Sequence, residues 1–311
     1  MSVESTDCNA SHKQIQNLEG ACVSYLFPTS GHLSITLTIS GKISAKYWSE
    51  TGVTTTESRF KICQSPLRND DGNGIDIAKH PEYNLWIPEM IFGHLRTGSN
   101  YDKSEKKIVG GKNGFGFKLV LIYSKWGEIE TVDHIRKLKY TQRFENNLSK
   151  IRKAKVVKTK VKPYTKVSWL PDYERFGMKG LTDDMFRLLK KRTLDISAVT
   201  EKTVKVKFNG KYFPTKSFEQ YVDLYIGAKS VTKRIHEKPH DRWEIIVCIS
   251  PLDEFTQVSF VNGIHTKKGG KHVEYIMNQI VKKMVAYIDK KKKIKVKPIT
   301  IKEQLMLFLN C

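Results

Sequence analysis

The sequence predicts a mixed fold of the α+β class, and three observations carry that reading. Val204, Val206 and Phe208 alternate with Lys205 and Lys207 ahead of Asn209-Gly210, a tight-turn signal that makes a hairpin with Tyr212 and Phe213. Trp243 to Ile249 and Phe255 to Val261 are apolar on both alternating faces, as central strands of a covered sheet are. Amphipathic helices lie between and beyond these strands.

Taken in chain order, residues 1 to 68 hold short Thr-, Ser- and Gly-rich stretches and a strand signal at Ser34 to Ile39, with no chemical motif and no assigned function. Met185, Leu188, Leu189 and Ile196 form one helical face after the cap residue Thr182, and Phe218, Tyr221, Val222 and Tyr225 form another. The longest helix is expected from Lys271 to Ile288, with Val273, Ile276, Met277, Ile280, Met284 and Ile288 facing a sheet. Thr300-Ile-Lys-Glu303 reads as a capping box before Leu305, Phe308 and Leu309, so a last helix is expected to begin there and to be cut short at Cys311. Trp169, Trp243 and the tyrosines of the helices are assigned to the core. His80, His94, His265 and His272 show no spacing that suggests a metal site.

A chain of 311 residues is long enough for about two domains. Lys plus Arg is 54 against 32 Asp plus Glu, a formal charge of +22, which disfavours a plain metabolic enzyme and favours polyanionic partners. The charge is concentrated: 12 basic residues against Glu145 alone between Arg136 and Lys166, and 12 against Glu274 and Asp289 between Lys267 and Lys302. The densest run, Asp289 to Lys297, is either a solvated helix end or a phosphate-contacting strip. Five cysteines without paired spacing signal neither a disulfide framework nor a zinc site. No apolar run is long enough to span a membrane, and no secretory pattern opens the chain.

The chemistry gathers between Asp70 and Lys118. Gly110-Gly-Lys-Asn-Gly-Phe-Gly-Phe-Lys118 places four glycines in seven residues before Leu119 to Tyr123, which reads as the first turns of a helix. Consecutive amides freed of Cβ atoms, a helix N-terminus and the Lys118 ammonium together make an anion cradle; a plain tight connection is the other reading. It is not an ordinary P-loop, because Phe117 and Lys118 stand where Lys and a hydroxyl are needed. Nor is it a dinucleotide fingerprint, because polar Asp102 to Lys107 precedes it instead of a strand. Upstream, Asn69-Asp-Asp-Gly-Asn-Gly74 puts carboxylates beside a glycine turn, where a carboxylate can accept a hydrogen bond from an exocyclic amine.

Three blocks in order, Asp70 to Gly74, Pro88 to Leu95 with Ser99-Asn100-Tyr101, and Gly110 to Lys118, resemble the ATPase region of eukaryotic-type and large-DNA-virus type IIA DNA topoisomerases. Phe255-Thr-Gln-Val-Ser-Phe-Val-Asn-Gly263 and Lys268-Gly-Gly-Lys-His-Val-Glu-Tyr275 resemble the same family's transducer. The resemblance implies a Bergerat (GHKL) ATPase α/β sandwich over residues 69–212, lacking its first motif, and a ribosomal-protein-like transducer over 213–311, ending before the Gln-Thr-Lys loop. It implies that Asp70 contacts adenine, where eukaryotic members often have Asn, with Gly72 and Gly74 beside it. Gly98, Ser99 and Asn100 would contact ribose or phosphate. Gly111, Lys112, Asn113, Gly114, Phe115, Gly116, Phe117 and Lys118 would form the lid over the triphosphate. Lys290, Lys291 and Lys292 resemble a position where the family touches DNA. ATP and Mg²⁺ are the implied cofactors. Double-stranded DNA and a second copy of the chain are the implied partners, with the nucleus or a viral replication compartment as the place.

The chain departs from that pattern. The family's general-base Glu, followed four residues later by a Mg²⁺-binding Asn, has no counterpart: Glu4, Glu19, Glu50 and Glu57 are followed at that spacing by Cys8, Val23, Thr54 and Lys61. The DNA-cleavage core and its Tyr are expected to lie beyond Cys311. Two readings therefore stand: the ATPase and transducer portion of a strand-passing topoisomerase with weak or no hydrolysis of its own, or a non-enzymatic DNA-binding or dimerising module.

Overall fold

The computed structural model describes residues 37–40, 72–95, 97 and 116–311. They divide into two compact units, one reaching Pro214 and one running from Thr215 to Cys311.

In the first unit, β1 (Leu37–Ser40) is followed by α1 (Ile87–Gly93) and α2 (Gly116–Ile122). Next come β2 (Ser124–Val132), β3 (Leu138–Glu145), β4 (Lys150–Ile151), β5 (Lys155–Lys158) and β6 (Tyr164–Pro171). A 3₁₀ turn over Tyr173–Phe176, α3 (Asp183–Val199) and the hairpin β7 (Lys205–Phe208) and β8 (Lys211–Tyr212) complete it. The main sheet is antiparallel in the order β4-β3-β2-β6, with β5 pairing the first half of β3. Strand alternation sends Ile129, Phe144, Val167 and Trp169 to one face, where they bury against Ile75, Phe92 of α1 and Leu121 of α2. The opposite face is ionic, with Lys139 bridging Glu130 at 2.7 Å and Arg143 stacked over Trp126. β1 pairs antiparallel with β7, and both overlap the segments where the sequence places strands.

α3 starts where the cap is expected: the Thr182 hydroxyl accepts from the Met185 amide, and Asp183 and Asp184 sit in the positive first turn.

The second unit holds α4 (Phe218–Ile226), β9 (Arg234–His240), β10 (Trp243–Ile249), β11 (Thr256–Val261), β12 (Ile264–His265), α5 (Lys271–Lys292), α6 (Pro298–Glu303) and β13 (Leu305–Asn310). Its sheet runs β12-β11-β13-β10-β9, with β13 parallel to β11 and antiparallel to β10. Val273, Ile276, Met277 and Val281 of α5 pack with Ile301 on Leu305, Leu307 and Leu309.

The last segment corrects the sequence reading. The helix there is α6, which begins at Pro298 after the cap position Lys297, not at Thr300, and lasts six residues. Leu305 to Leu309 then form the central strand, all buried. Spacing at 305, 308 and 309 fits a helix, but the unbroken run Leu-Met-Leu-Phe-Leu fits a strand covered on both faces, and that is what forms. The tyrosines of the helices also divide. Tyr221 is buried, whereas Tyr275 and Tyr287 of α5 face solvent. Trp169 is buried and Trp243 packs at the margin of the second core.

Candidate functional site

The segment after the Asp70 block is held by side chains instead of a strand ladder. Thr131, at the end of β2, accepts a hydrogen bond from the Ile75 amide at 3.0 Å and bonds the Thr165 hydroxyl of β6, also at 3.0 Å. Two residues on, Asp133 is fully buried and accepts from the Ile77 amide at 3.0 Å, the Ile135 amide at 2.8 Å and the Arg136 amide at 3.1 Å. The Arg136 guanidinium closes on the same carboxylate at 2.9 Å and reaches Asp76 at 3.5 Å. Burial alone would raise the Asp133 pKa. The donated amides and the guanidinium outweigh it and hold the carboxyl at about 2.

This clamp brings the backbone of Gly74 onto β2. Gly74 has φ +71°, and a Cβ added there would lie 1.9 Å from the Val132 carbonyl oxygen, so the turn admits only glycine. Gly72 is buried just before it.

α2 begins at Gly116, an exposed residue that opens the helix. Phe117 stands edge-on to Phe92 at 4.9 Å and to Trp169 at 6.1 Å, which anchors the helix to the sheet. Gly127 of β2 lets α2 lie close: a Cβ there would fall 2.2 Å from Leu121. Lys118, in the first turn, is only 4% exposed, and desolvation pushes its ammonium down to about 8. Lys118 is thus a buried cation in the first turn of α2. Ile75, Phe92, Leu121 and Trp169 share one apolar cluster, so the Gly74 segment, α1 and α2 rest on the same sheet face.

Asp70, Gly98, Ser99, Asn100, Gly111, Lys112, Asn113, Gly114 and Phe115 lie outside the described residues. Lys290, Lys291 and Lys292 form the exposed last turn of α5, where positive side chains also complement the helix dipole. The Lys268-Gly-Gly-Lys-His block is a turn into α5. His272 bonds Thr266 at 3.0 Å and Ser259 at 3.2 Å, a structural role as expected.

Sequence reasoning missed Thr131 and Asp133. Their signal is slight: two polar residues two apart at the end of the segment that folds as β2, which the sequence reading did not single out, opposite the alternating Ile75-Asp-Ile77.

Comparison with known proteins decides the family. Residues 217–311 match the family model described as DNA gyrase B. The chain is 44% identical over 245 residues to DNA topoisomerase 2 of Acanthamoeba polyphaga mimivirus, covering 78% of this chain and 19% of that protein. It is 45% identical over 262 residues to DNA topoisomerase 2 of Arabidopsis thaliana, covering 82% and 17%. The chain belongs to the type IIA DNA topoisomerase family. It spans about a fifth of the length of these relatives. Among solved structures, the ATPase region of Saccharomyces cerevisiae topoisomerase II superposes with a TM-score of 0.71 at 42% identity, covering 78% of this chain and 62% of that one. The ATPase and transducer domains of DNA topoisomerase II from Balamuthia mandrillaris give 0.73 at 39% identity, with the same coverage. The topoisomerase fold is thus a GHKL ATPase followed by a transducer, as the resemblance implied.

Proposed function

We propose that this chain is the nucleotide-binding and transducer portion of an ATP-dependent type II DNA topoisomerase, with the ATPase domain over 69–212 and the transducer over 213–311. ATP lies between the Asp70–Gly74 turn and the Gly111–Lys118 loop. Asp70 takes the adenine amine, Gly98, Ser99 and Asn100 meet ribose or phosphate, and Lys118 faces the phosphates. The observation that carries this reading is the pairing on one sheet face of a glycine turn no other residue can make and a desolvated lysine opening a helix. Both fit a nucleotide: a flat base needs close backbone, and a triphosphate needs buried positive charge.

Mg²⁺ does not find its family ligand here. None of the glutamates ahead of Asp70, Glu4, Glu19, Glu50 and Glu57, is followed four residues later by Asn, and no cluster of three His, Cys, Asp or Glu gathers among the described residues. No step is therefore assigned to the metal. Without a general base to take a proton from the attacking water, ATP is bound and turned over slowly or not at all. In the larger assembly, nucleotide-driven pairing of two copies would close around a DNA duplex that is passed through another, in the nucleus or a viral replication compartment.

Titration calorimetry with a non-hydrolysable ATP analogue, with and without Mg²⁺, tests the reading. Saturable binding of about one analogue per chain is expected and, in a separate assay with ATP, phosphate release far below that of an intact family ATPase. Salt-sensitive duplex binding with no nucleotide heat would leave the non-enzymatic DNA-binding module instead, and turnover equal to an intact ATPase would remove the argument from the missing base.

A further inference from the structure

The first basic zone of the sequence is not accounted for by the nucleotide site or by the α5 lysines. Between Lys153 and Lys162 the chain reads Lys-Ala-Lys-Val-Val-Lys-Thr-Lys-Val-Lys, five lysines in ten residues with no acid. All five are exposed, and none is ion-paired among the described residues, whereas Lys139, Arg143 and Arg152 nearby are engaged. Lys139 bridges Glu130, while Arg143 and Arg152 both close on Glu145.

The fold turns this run into a ridge. β5 pairs with β3 in the register Leu138 to Lys158 and Thr141 to Lys155, and the Thr159 amide bonds the Lys137 carbonyl, so one side of the backbone is fixed. Lys155 and Lys158 fall on opposite faces of the strand, since they stand opposite residues of opposite parity on β3. Lysines on an outer strand discourage edge-to-edge pairing, which accounts for Lys155 and Lys158 of β5 but not for Lys153, Lys160 and Lys162 outside it.

We propose that this ridge is a second double-stranded nucleic-acid contact, separate from the lysines of α5, which grips phosphates on both walls of a groove. A groove about 12 Å wide admits a two-stranded β-ribbon, and the outer edge of this sheet, with charge on both faces of β5, can meet two phosphate rows at once. A membrane plane would meet only one face, and no aromatic residue lies between Glu145 and Pro163 to anchor it in lipid headgroups. The proposal rests on the DNA-directed reading above but not on its nucleotide site.

The test uses the whole chain and a short mixed-sequence DNA duplex, with affinity measured by fluorescence anisotropy over a range of salt. Changing Lys155, Lys158, Lys160 and Lys162 together to Gln is expected to flatten the log–log salt slope by about 0.9 for each lysine that held a phosphate. Lys290→Gln with Lys291→Gln and Lys292→Gln should flatten it independently, so that the two losses add. An unchanged slope and affinity in the ridge variant overturns the proposal, as does tighter capture of polyglutamate or anionic vesicles than of duplex. Should the variant fail to fold, amine acetylation of the unaltered protein decides instead: duplex must protect Lys155 to Lys162, and full labelling in its presence overturns the proposal. Analogue binding measured alongside keeps the outcomes apart, because it is unaffected if only the ridge is wrong.

Discussion

The two units are held together differently. The unit from Thr215 to Cys311 is organised by an apolar strand: Met306, Leu307, Phe308 and Leu309 are essentially without solvent contact, covered by α4 and α5 on either face of the sheet. The unit that ends at Pro214 has an apolar layer too, but its candidate site is fixed by polar atoms, Thr131 and Asp133, which hold the Ile75–Ile77 backbone against β2. Apolar packing tolerates small shifts and is indifferent to pH. A buried carboxylate clamp is directional and titratable, and it sets the turn at Gly74 within hydrogen-bond tolerance. The lesson is that rigidity at the site comes from satisfied polar groups, and rigidity of the transducer-like unit from volume.

The sharpest contrast comes from deleting one element of each. Phe308→Ala should cost about 3 to 5 kcal/mol, from lost transfer energy and a cavity that the sheet cannot close, read as a lower midpoint in chemical denaturation of the whole chain. Asp133→Ala should cost about 3 kcal/mol, because the buried Ile77 amide, two partly buried amides and a guanidinium lose their acceptor. Unlike Phe308→Ala, it should also abolish analogue binding. If both variants lose only stability, the clamp is not what shapes the site.

Acid should separate the units again. The Asp133 pKa lies below that of an unfolded carboxyl, so its stabilisation is complete above about pH 4 and is lost as pH falls towards about 2. The shift from 3.8 to about 2 corresponds to about 2 kcal/mol. Denaturation followed from neutral pH to pH ~2 should show that loss in the parent and not in Asp133→Asn. Equal acid sensitivity of the two proteins would assign it to other groups. The smallest effect belongs to the exposed face of α5: Tyr287→Ala should change stability by less than about 0.5 kcal/mol, since the ring is 63% exposed. A larger loss in a melting experiment would mean that this face is covered in solution.

What the sequence made legible follows the same division. The amphipathic helices α3, α4 and α5 were readable because apolar side chains repeat at the helical period, and β10 and β11 because short runs apolar on both faces suit covered strands. β13 was misread because a short, wholly apolar run satisfies both periods, and only its neighbours decide. The glycine blocks pointed to a candidate nucleotide site, most of whose residues lie outside the described ones, and the clamp that positions Gly74 joins residues 56 apart in the chain, a pairing that local pattern does not carry. The burial of Lys118 was hidden too, because a lysine in a helix's first turn ordinarily faces water.

The central claim is that Lys118 faces nucleotide phosphate, and the pH dependence of analogue affinity tests it most directly. The Lys118 ammonium loses its proton at about 8 in the free protein, and a bound anion must raise that value. Calorimetry from pH ~7 to ~10 should therefore show affinity falling by up to tenfold per pH unit above about 8, with the dependence gone in Lys118→Ala and restored towards constancy at a higher level in Lys118→Arg. A parent protein whose affinity stays flat across that range, or a Lys118→Ala variant that binds as tightly as the parent, would contradict the account.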